Sequence, residues 1–400
     1  MNSQHYKINN VAAAAFLVII FTSLSLPSGK IYYINIKLVA LIILILAMIF
    51  AKIKINRLFI IYVIASVIFC IIYYILGIIG SHSDYYAMME ARAFLVTIAI
   101  PMLTYILIKN RIISQSNVCK IIIIAACMLG LFKISVILYA MASGQNTGII
   151  IGKIADIFNT QIITMPITGN IYRMQIAADF SAPLGYFITL FSDKNHINLK
   201  NYSKYVIYLL LFCSALLSYS RYIWLSMAII FSLWLITQKN IKIIIISVLL
   251  LLLAIYYVTY YKSDLIEERF ASPLVTLSDK IRDEQTNAIL NKIQNHILLG
   301  GGFGTYIPTL IRDEKLKYLY EEQWLSFVMQ TGLLGIIFIL ILALSIPILS
   351  INQYDGFKLI AALFYMLWLS SGLFNPYLIS ATSGSIFSYF IIIFVNKKYE

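Results

Sequence analysis

Two neighbouring carboxylates, Glu321 and Glu322, and four arginines, Arg173, Arg221, Arg269 and Arg282, are the residues best suited to chemistry. A guanidinium is a planar, permanently charged fork that matches phosphate and carboxylate oxygens. A carboxylate at the lip of a partly desolvated cavity can take a proton from a hydroxyl. Together they form equipment for gripping an anionic group while deprotonating an alcohol. Each has a plainer reading: arginines near helix ends anchor them at lipid headgroups, and carboxylates at a helix N-terminus are stabilised by its dipole. The run Gly300-Gly301-Gly302-Phe303-Gly304 lacks the Gly-Lys-Ser/Thr continuation of a nucleotide-binding loop. Gly300, Gly302 and Gly304 therefore read as a turn that lets the backbone come close to a ligand or a helix.

Most of these residues fall in one polar stretch, 261–322, which also holds ten of the chain's seventeen acidic residues. A long connection of this kind is functional or disordered. Phe270, Leu290, Ile293, Leu298, Phe303 and Tyr306 supply apolar groups for a small packed unit, which favours function.

The elements that position this stretch are membrane helices. The chain is 61% hydrophobic and only 12% charged, and apolar runs of nearly twenty residues recur along its length. Backbone polar groups in lipid must be satisfied within each segment, so the expected class is all-α, a polytopic transmembrane bundle. About twelve helices are expected, near 11–27, 37–51, 58–79, 93–108, 121–142, 176–192, 205–219, 222–238, 243–261, 324–350, 359–374 and 384–396. They divide into about six over 1–204 and the rest over 205–400, with one long, partly helical outer loop over 262–322. The span from Trp324 contains Gly332 and Gly335 and is expected to begin as a bent or protruding segment.

Alternate connections carry most of the lysines, with only Asp193, Asp355 and Glu400 as acids among them. The positive-inside rule makes that set cytoplasmic and places both termini inside, with the long loop outside. The net charge of +13 is then a topology signal, and no nucleic-acid partner is needed. The outer arginines make the outer mouth a candidate anion site. Lys133 lies within the fifth span, where an ionisable group is a functional candidate unless it pairs inside the bundle. Asp179 is a candidate partner for Arg173. The four cysteines have no disulfide or metal spacing, and His82 and His296 are lone histidines, so neither metal nor cofactor is expected. Outer tyrosines such as Tyr85, Tyr86, Tyr318 and Tyr320 are candidates for stacking on sugar rings.

Three segments, in order, resemble the superfamily of bacterial O-antigen polymerases and O-antigen ligases. Ser218-Tyr219-Ser220-Arg221-Tyr222-Ile223-Trp224 is similar to its short outer Ser-Arg turn before an apolar helix. Arg282, with Leu298-Leu299-Gly300-Gly301-Gly302-Phe303-Gly304, resembles its loop pattern ending in a glycine cluster. Glu321-Glu322-Gln323-Trp324-Leu325, then Gln330-Thr331-Gly332-Leu333-Leu334-Gly335, resembles the opening of the next helix. The resemblance covers roughly 205–340. Ligases carry His-Asn where this chain has Glu321-Glu322, and a proline where it has Ile297, so the resemblance is nearer the polymerases.

That resemblance implies a metal-independent glycosyltransferase of the C-type membrane fold in the bacterial cytoplasmic membrane. It would act outside on glycans linked to undecaprenyl pyrophosphate. Glu321 would be the base, with Glu322 as substitute. Arg221 and Arg282, then Arg173 and Arg269, would hold the pyrophosphate. A chain-length regulator and a flippase are implied partners, alongside the bilayer. A lipid-linked glycan transporter would also need many helices and cations, but it should show paired repeats and deep charges in both halves. No convincing repeat is present. The motifs of cell-wall polymerases acting on lipid II are also missing.

Overall fold

In the computed structural model the chain is an all-α bundle with two minimal hairpins, 30–31 with 34–35 and 166–168 with 171–172. The structure describes residues 3–395 apart from 52, 56, 81–82, 161, 163, 165, 169–170, 239, most of 243–272, 312–315 and 351–354. The helix expected over 243–261 lies largely outside the described residues.

Thirteen α-helices are described. In chain order they are α1 (Ser3–Ser25), α2 (Ile36–Phe50), α3 (Arg57–Ile79), α4 (Asp84–Lys109), α5 (Gln115–Ser143), α6 (Thr147–Ile157) and α7 (Ser181–Leu190). They continue with α8 (Asn201–Leu217), α9 (Arg221–Ile236), α10 (Pro273–Gln294), α11 (Gln323–Leu349), α12 (Gly356–Ser370) and α13 (Ala381–Val395). Six of the described helices are long and apolar enough to cross a membrane, and α2, α8, α9 and α13 are shorter apolar helices. The chain is a polytopic helical membrane protein.

Helix starts follow local chemistry. Side-chain oxygens of Asn35, Ser114, Asn146 and Asp355 accept N–H groups from Leu38, Asn117, Gly148 and Lys358 at 2.7–3.1 Å, satisfying donors that helix geometry leaves open. The fourth helix starts at Asp84, not near 93. The charges of Asp84, Glu90 and Arg92 hid its first turns in the hydropathy pattern, although Glu90 is buried. The short α6, capped by Asn146, was not expected.

Small residues bring α13 onto α4. The Thr104 hydroxyl donates to Ser388 Oγ at 2.7 Å, and a Cβ added at Gly384 would lie 3.0 Å from the Thr97 carbonyl. In lipid, such close packing and interhelical hydrogen bonding replace the hydrophobic drive between helices. Aromatic rings of α7, α12 and α13 interlock beside it: Phe187 stacks on Phe364 at 4.7 Å and Tyr365 meets Phe390 edge-on at 4.9 Å. By contrast α3 leaves Ile60, Ile64, Ile68 and Ile75 exposed, the surface expected against lipid chains.

The polar stretch docks on the bundle through an exchange of backbone hydrogen bonds. Helix α11 is broken at Gly332, where φ is 62°. The break undoes the bonds that Leu333 and Leu334 would donate to Met329 and Gln330. The glycine turn replaces all four partners. Leu333 and Leu334 N–H groups donate to the Ile297 and Leu298 carbonyls at 2.9 and 3.2 Å, while Gly301 and Gly302 N–H groups donate to Met329 and Gln330 at 3.0 and 2.8 Å. Phe303 N–H then donates to the Tyr73 carbonyl of α3 at 2.8 Å, and its ring packs among Phe69, Tyr73 and Phe94. Phe303 thus belongs to the main core. The loop's own small core is Ile289, Tyr320 and Met329 with Ile293 and Tyr306, while Leu290 and Leu298 are exposed and Phe270 lies outside the described residues. Ile289 and Ile293 share the inward face of α10 by their spacing of four, and Leu290 points away.

Gly302 shows why glycine is required. It has φ 84°, and a Cβ there would lie 2.0 Å from the backbone nitrogen of Gly77. Gly302→Ala should cost more than about 3 kcal/mol, because backbone strain and a backbone clash add. Gly144→Ala is the control: φ is 63° there but nothing lies within 4 Å. It should cost only about 1–2 kcal/mol. Thermal unfolding of the two variants in detergent checks the difference.

Candidate functional site

The candidate site lies at the end of the bundle where the glycine turn docks. Arg282 and Glu321, distant in sequence, meet: Arg282 Nε donates to Glu321 Oε2 at 2.6 Å. Helix α10 presents Arg282, and Glu321 stands just before α11. Its backbone is fixed by Glu321 N–H donating to the buried Gln285 side chain at 3.3 Å. About a quarter to a third of each charged side chain remains exposed, so the pair is open to a ligand. An exposed pair of this kind contributes little to stability, about 1 kcal/mol at most.

Arg173 adds a third charged group. It follows the 166–172 hairpin, is half-buried, and interacts electrostatically with Tyr377, Asp179, Glu321 and Arg282. Burial lowers its pKa from the ordinary arginine value, while Tyr377, Asp179 and Glu321 oppose the shift. Beside it, Gln175 Nε2 donates to Asn375 Oδ1 at 3.2 Å and to the Tyr377 hydroxyl, joining this segment to the connection between α12 and α13. Burial raises the Tyr377 pKa, so the group is a neutral phenol. Gln175, Asn375 and Tyr377 carry no sequence signal, because only the fold brings them to the arginines.

Arg221 opens α9 and is half-buried. The next residue, Tyr222, donates its hydroxyl to the Leu367 carbonyl and places its ring 5.8 Å from Phe374, adjacent to Asn375. Glu322, directly before α11, is half-buried, and its backbone carbonyl accepts Ser326 N–H at 3.0 Å. Arg269 lies outside the described residues, as do Arg312 and His82.

Asp179, the expected partner of Arg173, interacts electrostatically with it and also forms an ion pair with Lys133 at 2.7 Å, both side chains of that pair being essentially inaccessible. Lys133 is therefore paired inside the bundle. Tyr320 is buried in the loop core, its hydroxyl accepting Ile307 N–H at 2.7 Å, so it is closed to a sugar ring. Tyr318 is buried against Tyr86, whereas Tyr85 is exposed. The glycines Gly300, Gly302 and Gly304, all at positive φ, approach helices α11, α3 and α4 through their backbones.

Glu90 escaped sequence reasoning. This buried α4 carboxylate accepts the Gly304 N–H at 2.6 Å, beside the buried Gln330. Its signal was a lone acid in an apolar run, a position that demands a partner. Glu90→Leu should strand the Gly304 N–H and cost about 1–3 kcal/mol, whereas Glu90→Gln, which keeps an acceptor, should cost less than half as much. Unfolding midpoints in detergent read the ordering, and equal losses would show that the hydrogen bond is not what matters.

Compared with protein-family models, residues 206–340 match the family described as O-antigen ligase. The matched stretch runs from α8 through Arg221, Arg282, the glycine turn and Glu321 to past the break in α11. No curated protein matches the chain.

Proposed function

We propose that this chain, which carries an O-antigen ligase family domain over residues 206–340, is a membrane glycosyltransferase that polymerises oligosaccharide repeat units linked to undecaprenyl pyrophosphate. The observation that carries this reading is the convergence of Arg282, Arg173 and Glu321 at one mouth of the bundle.

The chemistry follows from these groups. Arg282 and Arg173, with Arg221 at the neighbouring helix start, hold the pyrophosphate and stabilise the charge that develops on it as the glycosidic bond breaks. An acceptor sugar hydroxyl attacks the anomeric carbon from the opposite face, its proton passes to Glu321, and the bonding pair leaves with the lipid pyrophosphate. This single displacement inverts the anomeric centre. When the pyrophosphate engages Arg282, it takes the place of Glu321 and turns the carboxylate toward the acceptor. A small apolar cleft lined by Phe94, Pro101, Trp324, Phe327, Leu342 and Trp368 marks where the lipid tail would enter. Trp324 stands three residues from Glu321. The positive-inside reading puts this mouth on the external face, where flipped lipid-linked glycans are displayed and where a chain-length regulator would act. Both termini are then cytoplasmic.

The second reading is an O-antigen ligase, favoured by the description of the matched family, which would transfer finished polymer from the same carrier. The test is the glycan profile of cells lacking the protein, complemented at matched expression. Wild type should restore a ladder of repeat lengths, and Arg282→Ala or Glu321→Gln should lower it at least about tenfold, the loss expected when one charge-stabilising or proton-transfer group is removed. Long polymer retained on its lipid carrier in the null strain would favour the ligase. Repeat units confined to the cytoplasmic leaflet would identify a transporter and overturn the assignment.

A further inference from the structure

The end of the bundle away from the candidate site carries a second cationic feature. Helix α4 has Glu90 beside Gly304 near its start and Lys109 as its last residue. The ends of α4 and α13 and the turn into α5 border a cavity of about 950 Å³. Lys109, Arg111 and Asn117 stand on its polar rim, and Ile108, Ile112 and Val395 belong to its apolar wall. Lys109 Nζ lies 5.5 Å from the centre of the Tyr105 ring and donates to the Tyr105 hydroxyl at 3.4 Å. Among the described residues, neither Lys109 nor Arg111 forms an ion pair, and both are exposed.

Arg111 is held in a strained conformation. Its φ is 56°, in the left-handed region. Its N–H donates to the Ile108 carbonyl and the Ile112 N–H to the Leu107 carbonyl, both at 2.9 Å. Helices close with this pair of bonds on a left-handed residue that is usually glycine. An arginine there carries a steric cost that glycine would not. Strain of this kind concentrates at ligand sites, and here the strained residue is one of the two cations of the rim.

We propose that this groove binds an anionic phospholipid, its headgroup phosphate against Lys109 and Arg111 and an acyl chain along the wall of Ile108, Ile112 and Val395. Charge complementarity selects the sign of the occupant. The apolar wall, at the end of two apolar helices, selects a lipid over a soluble anion, which would gain nothing from it. The segment that follows Val395, 396–400, carries two lysines and one glutamate, so it has the same sign as the rim and is a poor occupant. The positive-inside reading puts this end at the cytoplasmic leaflet, where anionic lipids give the surface its negative potential. The groove is independent of the reaction assigned to the opposite mouth.

The probe is dioleoyl phosphatidylglycerol, with dioleoyl phosphatidylcholine as the neutral comparison, titrated into the delipidated full-length protein in detergent and read by native mass spectrometry. The wild-type protein should bind phosphatidylglycerol at least about tenfold more tightly than phosphatidylcholine. Lys109→Gln and Arg111→Gly should each weaken phosphatidylglycerol binding about fivefold, and together about twentyfold, the loss expected for basic residues facing anionic lipid. Arg111→Gly also relaxes the strained turn, so its unfolding temperature without lipid should be retained or raised while its binding falls. Lys153→Gln, at an exposed lysine of α6, should change binding less than about twofold. Unchanged binding by Lys109→Gln and Arg111→Gly, or an equal loss with Lys153→Gln, would overturn the proposal. So would competition by glycerol 1-phosphate at the lipid's own concentration, which would mark a soluble-anion site. A gain in affinity on deleting residues 396–400 would identify that segment as the occupant and overturn it as well.

Discussion

The structure depends on an exchange of four backbone hydrogen bonds. A helix broken at Gly332 exposes two donors and two acceptors in a region where none can be left unpaired, and the turn 297–302 supplies a partner for each. The exchange requires two backbones in contact, so side chains must be absent at Gly300, Gly302 and Gly332. It converts a long connection into a seated element. With the turn clamped to α11, Phe303 enters the main core and Gly304 meets Glu90 on α4. Helix α10 is then held where Arg282 reaches Glu321. The charged pair is a consequence of the backbone lock.

Electrostatics explain why the seated loop matters. Charged groups in this chain are scarce, and Arg173 interacts electrostatically with members of both a buried pair, Lys133 and Asp179, and a partly exposed one, Arg282 and Glu321. The buried pair has a fixed geometry and little water to reorganise. The accessible pair can exchange partners. Coulomb attraction at a partly desolvated pair is far stronger than in bulk water, which is why we propose that this pair receives an anion.

Much of this was legible in the sequence. Apolar runs give the helices because lipid forces each to satisfy its own backbone, and Gly332 marked the bend in the span from Trp324. Arg282 and Glu321 stood out as charges in a chain with few, and the glycine cluster read correctly as a close backbone approach. What was hidden depends on long-range pairing. Asp179 is near Arg173 in sequence, but its ion pair with Lys133, forty-six positions away, forms only because α5 and α7 pack together. Glu90 made its helix look shorter than it is. Tyr320 looked like a surface aromatic because its burial depends on Ile307 and α10. Gln175, Asn375 and Tyr377 are ordinary residues until the fold joins two connections.

On the reading we propose, the mouth formed by Arg173, Arg282 and Glu321 receives the pyrophosphate of a lipid-linked glycan. The most direct measurement is an electron cryo-microscopy structure of the protein in a lipid nanodisc with undecaprenyl pyrophosphate. Phosphate density is expected against Arg282 and Arg173, with Glu321 turned away from Arg282 and the prenyl chain descending past Trp324. Headgroup density elsewhere on the bundle, with the Arg282–Glu321 contact intact, would contradict it.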